Sequence, residues 1–424
     1  MKITAVRVTP IAFKDPPLLN AAGIHEPYAL RSIIEIETQC GRLGLGESYG
    51  DAPVLQDLLL AAPHLVGQSV FDLNGARRAV ANHLSAPAQG LLPDATLALA
   101  PSTHSEKAFA KAFGAFETAL LDCQAQIVGL PLVELLGGAV RQEVDYSAYL
   151  FFKYAKHIDA DYPSDPWGQA ISSPEIVAQA QRMIDLYGFG SIKLKAGALE
   201  PDHEAQCLED LAKAFPHHPL RIDPNANWSL TTAERIAQRL GRLLEYYEDP
   251  TPSLEGMAQL HKATGLPLAT NMVVTTFEEF KRSIAMNAVQ IVLCDHHFWG
   301  GIRATQELAR MCETFGLGVS MHSNSHLGIS LMAMTHMAAA IPNVAYACDT
   351  HYPWQVEDVI EQGRVPIVNG KVRLTHTPGL GVTLDREKLR ELHEQFLSCG
   401  ITSRNDAAQM RKYHPNHTNK KPRF

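Results

Sequence analysis

The feature that most constrains this chain is a series of polar residues, each closing a short apolar stretch, spaced almost evenly through its second half. They are Tyr149, Lys195, Asp223, Glu248, Asn271, Asp295, His322 and Asp349. From Lys195 onward the steps are 28, 25, 23, 24, 27 and 27 residues. That interval holds one strand, one helix and two loops, and eight such units make a (β/α)8-type barrel. The first step is longer because residues 153–174 insert a loop with His157, Asp159, Asp161, Asp165 and Trp167. Each polar residue falls at the carboxyl end of its strand, the face on which barrel enzymes carry their chemistry. The reading places the barrel at residues 139–382.

The chain ahead of the barrel has a different pattern. Residues 3–13 and 32–38 alternate apolar and polar side chains, and Gly41 and Arg42 offer a turn into 43–47, which predicts a hairpin. Residues 15–28 form a loop long enough to be functional, with Asn20 and His25 in it. Helical patterns follow at 53–65, 70–82 and 108–128, while 85–105, rich in Ala, Pro and Leu, has no assignable pattern. Leu135, Leu136, Gly137 and Gly138 close the last helix and mark the end of an α+β domain at 138. The fold class is therefore α/β, a barrel joined to an α+β domain.

Composition narrows the partners. A formal charge of −8 leaves no basic stripe for phosphates, so nucleic acid is not expected. Seven scattered cysteines with no C-x-x-C pair point to buried thiols in a reducing compartment, not to disulfides or zinc. No apolar run reaches the ~18 residues of a membrane span, and Met1 leads straight into a strand. A soluble cytoplasmic protein is expected.

The strand ends sort by chemistry. Lys193 and Lys195 alternate with Ile192 and Leu194 on a strand flanked by helical segments, so both lysines should converge on a polar site. Neighbouring ammonium groups disfavour each other's charge, which brings a lysine pKa toward the working pH and makes it a base. Asp223, Glu248 and Asn271 are hard oxygen donors on consecutive strands, a set that suits Mg2+. A single Asp before Pro reads as a turn or cap, but three donors in register do not. Asp295 and His322 follow on the next two strands, where a carboxylate can orient an imidazole as a second base. His296, His297, His326 and His336 fall out of register and read as structural or supporting groups. Residues 323–325 and 349–351 add donors and acceptors for a polar substrate.

With these residues in place the chain resembles the enolase superfamily, and most closely its glucarate dehydratase branch. The resemblance rests on Lys-x-Lys, the Asp, Glu, Asn set and the Asp–His pair, together with Glu-Asp-Pro at 248–250, Ala-Thr-Asn-Met at 269–272 and His-Phe-Trp at 297–299. It implies that residues 1–138, completed by 383–424, form a capping domain over the barrel mouth. It implies Mg2+ at Asp223, Glu248 and Asn271, stabilising an enediolate made by removing the proton α to a carboxylate. Lys195 would be one base, with Lys193 stabilising the developing charge. His322, oriented by Asp295, would work on the opposite face and protonate the departing hydroxyl. Substrate contacts carried over by position are Asn20, His25, Tyr149, Asn225, Asn324, His351 and Arg404, the last clamping a distal carboxylate. A further contact is expected near 101–105, where the match is poor, and His296 and Ser325 depart from the family's Pro and Asn.

The implied activity is dehydration of D-glucarate or L-idarate to a keto-deoxy-hexarate by a homo-oligomer. Epimerisation, dehydration of another aldaric acid such as galactarate, and non-catalytic binding of sugar acids stay open.

Overall fold

The computed structural model describes residues 1–84 and 104–424. Three antiparallel strands open the chain, β1 (Ile3–Lys14), β2 (Tyr28–Thr38) and β3 (Leu43–Tyr49), in the order β1-β2-β3. Pairing of β1 with β2 runs to Lys14 opposite Tyr28, so the strands extend past the alternating stretches read from sequence and the loop between them shortens. The helix His104–Val128 packs across β3. A Cβ on Gly44 or Gly46 would collide with the carbonyls of Ala119 and Ala115, so glycine sets how closely helix and strand approach.

A short strand β4 (Glu143–Asp145) leads into the barrel and pairs with the last strand, β12 (Lys371–Arg373). Between them seven parallel strands follow in sequence order: β5 (Ala148–Phe151), β6 (Ile192–Lys195), β7 (Leu220–Asp223), β8 (Leu244–Glu248), β9 (Leu268–Thr270), β10 (Ile291–Cys294) and β11 (Gly318–Met321). All four residues of β6 are buried, as a strand covered on both faces requires. The helices between strands have ordinary stops and starts. Ser173–Tyr187, for example, begins in a capping box of Ser172 with Glu175 and ends on Gly188 at φ 71°.

The eighth strand expected to end at Asp349 is not a regular one. Residues 344–349 occupy its place through sparse bonds: Ala345 N–H to the Val319 carbonyl, Asp349 N–H to Met321, and Ser147 N–H to Cys348. The carbonyls of Tyr346 and Ala347 are taken instead by Ser320 Oγ, and that of Ala347 also by the Arg221 guanidinium. Side chains thus replace the ladder there. Tyr149 is also displaced from its expected place, since β5 continues to Phe151.

The helix Gly328–Ala340 is buried along its whole length, which explains why it is apolar all round apart from Ser330, Thr335 and His336, and it touches β3, β4 and β11. The C-terminal segment returns to the first sheet. His393 Nδ1 lies 2.7 Å from the Pro10 carbonyl, and Gln395 Nε2 donates to Ala12 at 2.8 Å. The tail is held as well: Arg423 N–H donates to the Asn227 carbonyl at 3.0 Å. All seven cysteines are free thiols, and among the described residues no helix is long and apolar enough to cross a membrane.

Candidate active site

The carboxyl ends of the strands converge beneath the first sheet. Asp223 and Glu248 are wholly buried there and Asn271 is 6% exposed. Asp223 Oδ1 accepts the Asn225 N–H at 2.9 Å, and its Oδ2 accepts from Lys195 Nζ at 2.6 Å and from the Tyr149 hydroxyl at 3.1 Å. Glu248 Oε1 and Asn271 Oδ1 have no hydrogen-bond partner among the described residues. Buried oxygens left bare are costly unless something binds them, so these two, beside the Asp223 carboxylate, fit a hard divalent cation. Asp249 holds Asn271 in place, accepting its N–H at 2.9 Å and the Thr270 hydroxyl at 2.5 Å. Burial raises the Asp249 pKa to about 7, with the Asp223 charge adding to the effect. The backbone is strained at this floor, with positive φ at Asn225 (54°), Ala226 (61°) and Asp249 (35°).

The two lysines have different environments. Lys193 is wholly buried and sits behind the cavity wall, 2.6 Å from Asp349 Oδ2, 2.6 Å from Glu248 Oε2 and 3.7 Å from Asp223 Oδ2. The approach to Glu248 is an ion-pair distance without the angles of a hydrogen bond. Burial opposes its charge, yet Asp349 and Glu248 hold its pKa well above the ordinary value. The mutual depression expected of neighbouring ammonium groups therefore does not operate on Lys193, because carboxylates surround it. Lys195 lines the cavity, and its ammonium also donates to Asn225 Oδ1 at 2.7 Å.

His322 lines the same cavity. Its Nδ1 lies 2.9 Å from Asp295 Oδ2, leaving Nε2 as the nitrogen able to meet a ligand. Asp295 is 4% exposed, and although burial opposes its ionisation, His297 and His322 keep its pKa well below the usual carboxylate range. His297 is the supporting group: its N–H donates to Asp295 Oδ1 at 2.8 Å and its Nδ1 lies 2.9 Å from that oxygen. Asp295, His296 and His297 offer ligand atoms within 4.8 Å of one another. Both Asp295 oxygens are already engaged by imidazoles, so the floor of hard oxygens suits a cation better.

The remaining expected contacts reach the cavity wall with different degrees of freedom. Tyr149, Asn225 and Asn324 line it, and Asn324 bonds the Tyr49 hydroxyl. His351 lines it with a buried Nδ1 that has no partner among the described residues. His25 is anchored, its Nδ1 3.0 Å from Asp15 Oδ2. Asn20 is engaged by the protein itself, donating to Asp406 Oδ2 of the C-terminal segment at 2.6 Å and accepting the Ala22 and Gly23 N–H groups of its own loop. Arg404 also reaches the wall, but its Nε and Nη2 both donate to Asp406 at 2.7 Å. The Nε and Nη2 edge of the fork expected to clamp a distal carboxylate is thus taken by Asp406. The expected contact near 101–105 lies outside the described residues and side chains.

The sequence reading missed several wall residues contributed by the first sheet and its helix. Arg31 and Glu47 form a buried pair at 2.8 Å, where a charged residue interrupting an apolar strand was the available signal. Tyr49, Asp51, Lys107 and Lys111 also line the cavity from this side, and Met272 and Phe298 line it from the barrel. The i, i+4 spacing of the two lysines puts them on one helix face, and Phe298 stacks on His322 with ring centroids 5.3 Å apart.

Fold and site together define an enzyme class in which a capped barrel gathers hard oxygen donors, a lysine and an Asp–His pair around one cavity. The chain belongs to the enolase superfamily: the model for enolase C-terminal domain-like proteins matches residues 175–388. A probable glucarate dehydratase from Streptomyces coelicolor is 48% identical over 419 residues, spanning 98% of this chain and 97% of its own. An enolase from Pseudomonas fluorescens, crystallised with bound magnesium, potassium and tartrate, matches with a TM-score of 0.97 and 62% identity over 100% of this chain and 99% of that one. An enolase from Thermobispora bispora, complexed with magnesium and formate, matches with a TM-score of 0.96 and 46% identity over 100% of both chains.

Proposed function

We propose that the protein is a Mg2+-dependent acid-sugar dehydratase that removes water from D-glucarate or L-idarate to give a keto-deoxy-hexarate. The observation that carries the reading is that Lys195 and His322, from β6 and the end of β11, border the same cavity as Asn271, with Asp223 bonded to Lys195 at 2.6 Å. The names of the relatives and the tartrate and magnesium held by one neighbour agree with it.

A divalent cation held by Asp223, Glu248 and Asn271 would supply positive charge against the enediolate that forms when an α-proton leaves. The chain's own groups do the rest. Lys195 Nζ, once free of its proton, takes the α-proton from one face of the substrate. Nε2 of His322 addresses the other face, and Asp295 fixes its tautomer through Nδ1 and stabilises the imidazolium. The Nε2 proton of that imidazolium, taken from the α-carbon of one epimer or already held when Lys195 is the base, passes to the departing β-hydroxyl, which leaves as water. Lys193, packed against Glu248 and Asp223 at the floor, stabilises the developing negative charge.

Incubation with Mg2+ and a panel of hexarates in deuterated water tests the proposal. Ketoacid from glucarate or idarate supports it. Deuterium at the α-carbon without ketoacid replaces it with epimerisation, ketoacid from galactarate alone reassigns the substrate, and binding with neither product makes the chain a sugar-acid binder.

A further inference from the structure

A diacid brings two carboxylates into the cavity, and the floor accounts for only one. The second needs a cation not already committed elsewhere. Of the cations that line the cavity from outside the barrel, Arg404 is forked onto Asp406 and Arg31 is paired with Glu47. Among the described residues neither Lys107 nor Lys111 has such a partner. Lys107 Nζ is buried without a hydrogen bond among the described residues. The Lys111 ammonium lies 5.0 Å above the Tyr49 ring and 6.0 Å from that of Phe298, and no ion pair involves it among the described residues. Buried ammonium groups that make neither a hydrogen bond nor an ion pair are expensive to keep, and such groups concentrate where a ligand supplies the missing charge.

Their position is rigid. The two residues are one turn apart on His104–Val128, and that helix is pressed onto the turn His296–Trp299, so that a Cβ on Gly114 would meet the His296 carbonyl at 2.7 Å. The same turn supplies Phe298, which stacks on His322. The lysines are thereby held in register with the base. Burial brings both pKa values down to about 8, with Asp51, Asp295 and Glu279 as the nearby charges opposing that fall.

We infer that Lys107 and Lys111 are the seat of the distal carboxylate and select diacids over mono-acids of the same sugar. The inference rests on the acid-sugar reading above and deepens it. Both residues are specificity determinants that touch the end of the substrate remote from the chemistry.

Calorimetric titration with D-glucarate and with D-gluconate, in Mg2+, tests it on the wild type and on Lys107→Gln, Lys111→Gln and the double Lys→Arg variant. The wild type is expected to prefer the diacid. Each Gln variant should lose at least about tenfold in glucarate affinity with gluconate affinity unchanged, and the Arg variant should recover most of it. Gln variants that keep the wild-type preference overturn the inference, and so does equal weakening toward both acids or a wild type that does not distinguish them. A wild type that prefers the diacid through these lysines yet forms no ketoacid sinks the dehydratase reading and leaves this one standing.

Discussion

Oδ2 of Asp295 lies 2.9 Å from Nδ1 of His322, and the other oxygen of the same carboxylate faces Nδ1 of His297 at the same distance. One carboxylate thus orients the base and is itself oriented by a second imidazole. Asp295→Asn keeps the shape but removes the charge that stabilises an imidazolium. The expected loss in kcat is about 10²–10⁴-fold with KM little changed, read by steady-state kinetics on glucarate. Near-native kcat would remove Asp295 from the account.

Asp249 touches no expected ligand atom but fixes Asn271 through its backbone. Asp249→Ala should weaken Mg2+ binding by about 10–100-fold, as removal of a supporting partner does at other metal sites. Isothermal titration of the metal-free protein measures it directly. Unchanged affinity would place the cation elsewhere.

The Arg31–Glu47 pair joins the first sheet to the barrel, because Glu47 also accepts the N–H groups of Leu327 and Ser330 at 2.9 Å, the start of the buried helix. Burial opposes the charge on Glu47, yet Arg31 keeps its pKa lowered. Glu47→Ala strands a buried guanidinium and should cost about 3–5 kcal/mol in urea unfolding. A cost under about 1 kcal/mol would mean the pair is not a structural tie.

Asp122 accepts N–H groups from Leu45 and Leu380 at 2.8 Å each, and burial raises its pKa from 3.8 to about 6. A carboxyl that holds its proton more tightly when folded stabilises the protein fully below pH 3.8, and that contribution is lost as pH rises through 6. Asp122→Asn does not titrate, so its stability relative to wild type should improve by about 3 kcal/mol between roughly pH 4 and pH 7. Urea unfolding at both values tests it, and a difference independent of pH would contradict it.

The spacing of strand ends was readable because parallel strands covered on both faces are apolar runs, and a polar residue stands out where each one stops. Lys195, Asp223 and Glu248 end their strands, while Asn271, Asp295 and His322 follow theirs by one residue. At residues 344–349 the spacing held but the regular strand it implied did not form, because side chains there substitute for backbone bonds. Partnerships across the chain were also hidden. Nothing local marks Asp406 as the group that fills the Arg404 fork, or the carboxylates that surround Lys193. Lys107 and Lys111 have the i, i+4 spacing of any solvated pair, and only the packing of their helix on His296–Trp299 turns that face inward.

The central claim is that two bases address one carbon from opposite faces. The measurement that reaches it most directly is deuterium exchange at the α-carbon of D-glucarate and L-idarate, catalysed by Lys195→Ala and by His322→Ala. The account predicts that His322→Ala forms no ketoacid, that Lys195→Ala forms it only from the epimer whose proton faces His322, and that each variant still exchanges the one epimer whose proton faces the base it retains. Wild-type exchange into both epimers by either variant would contradict it.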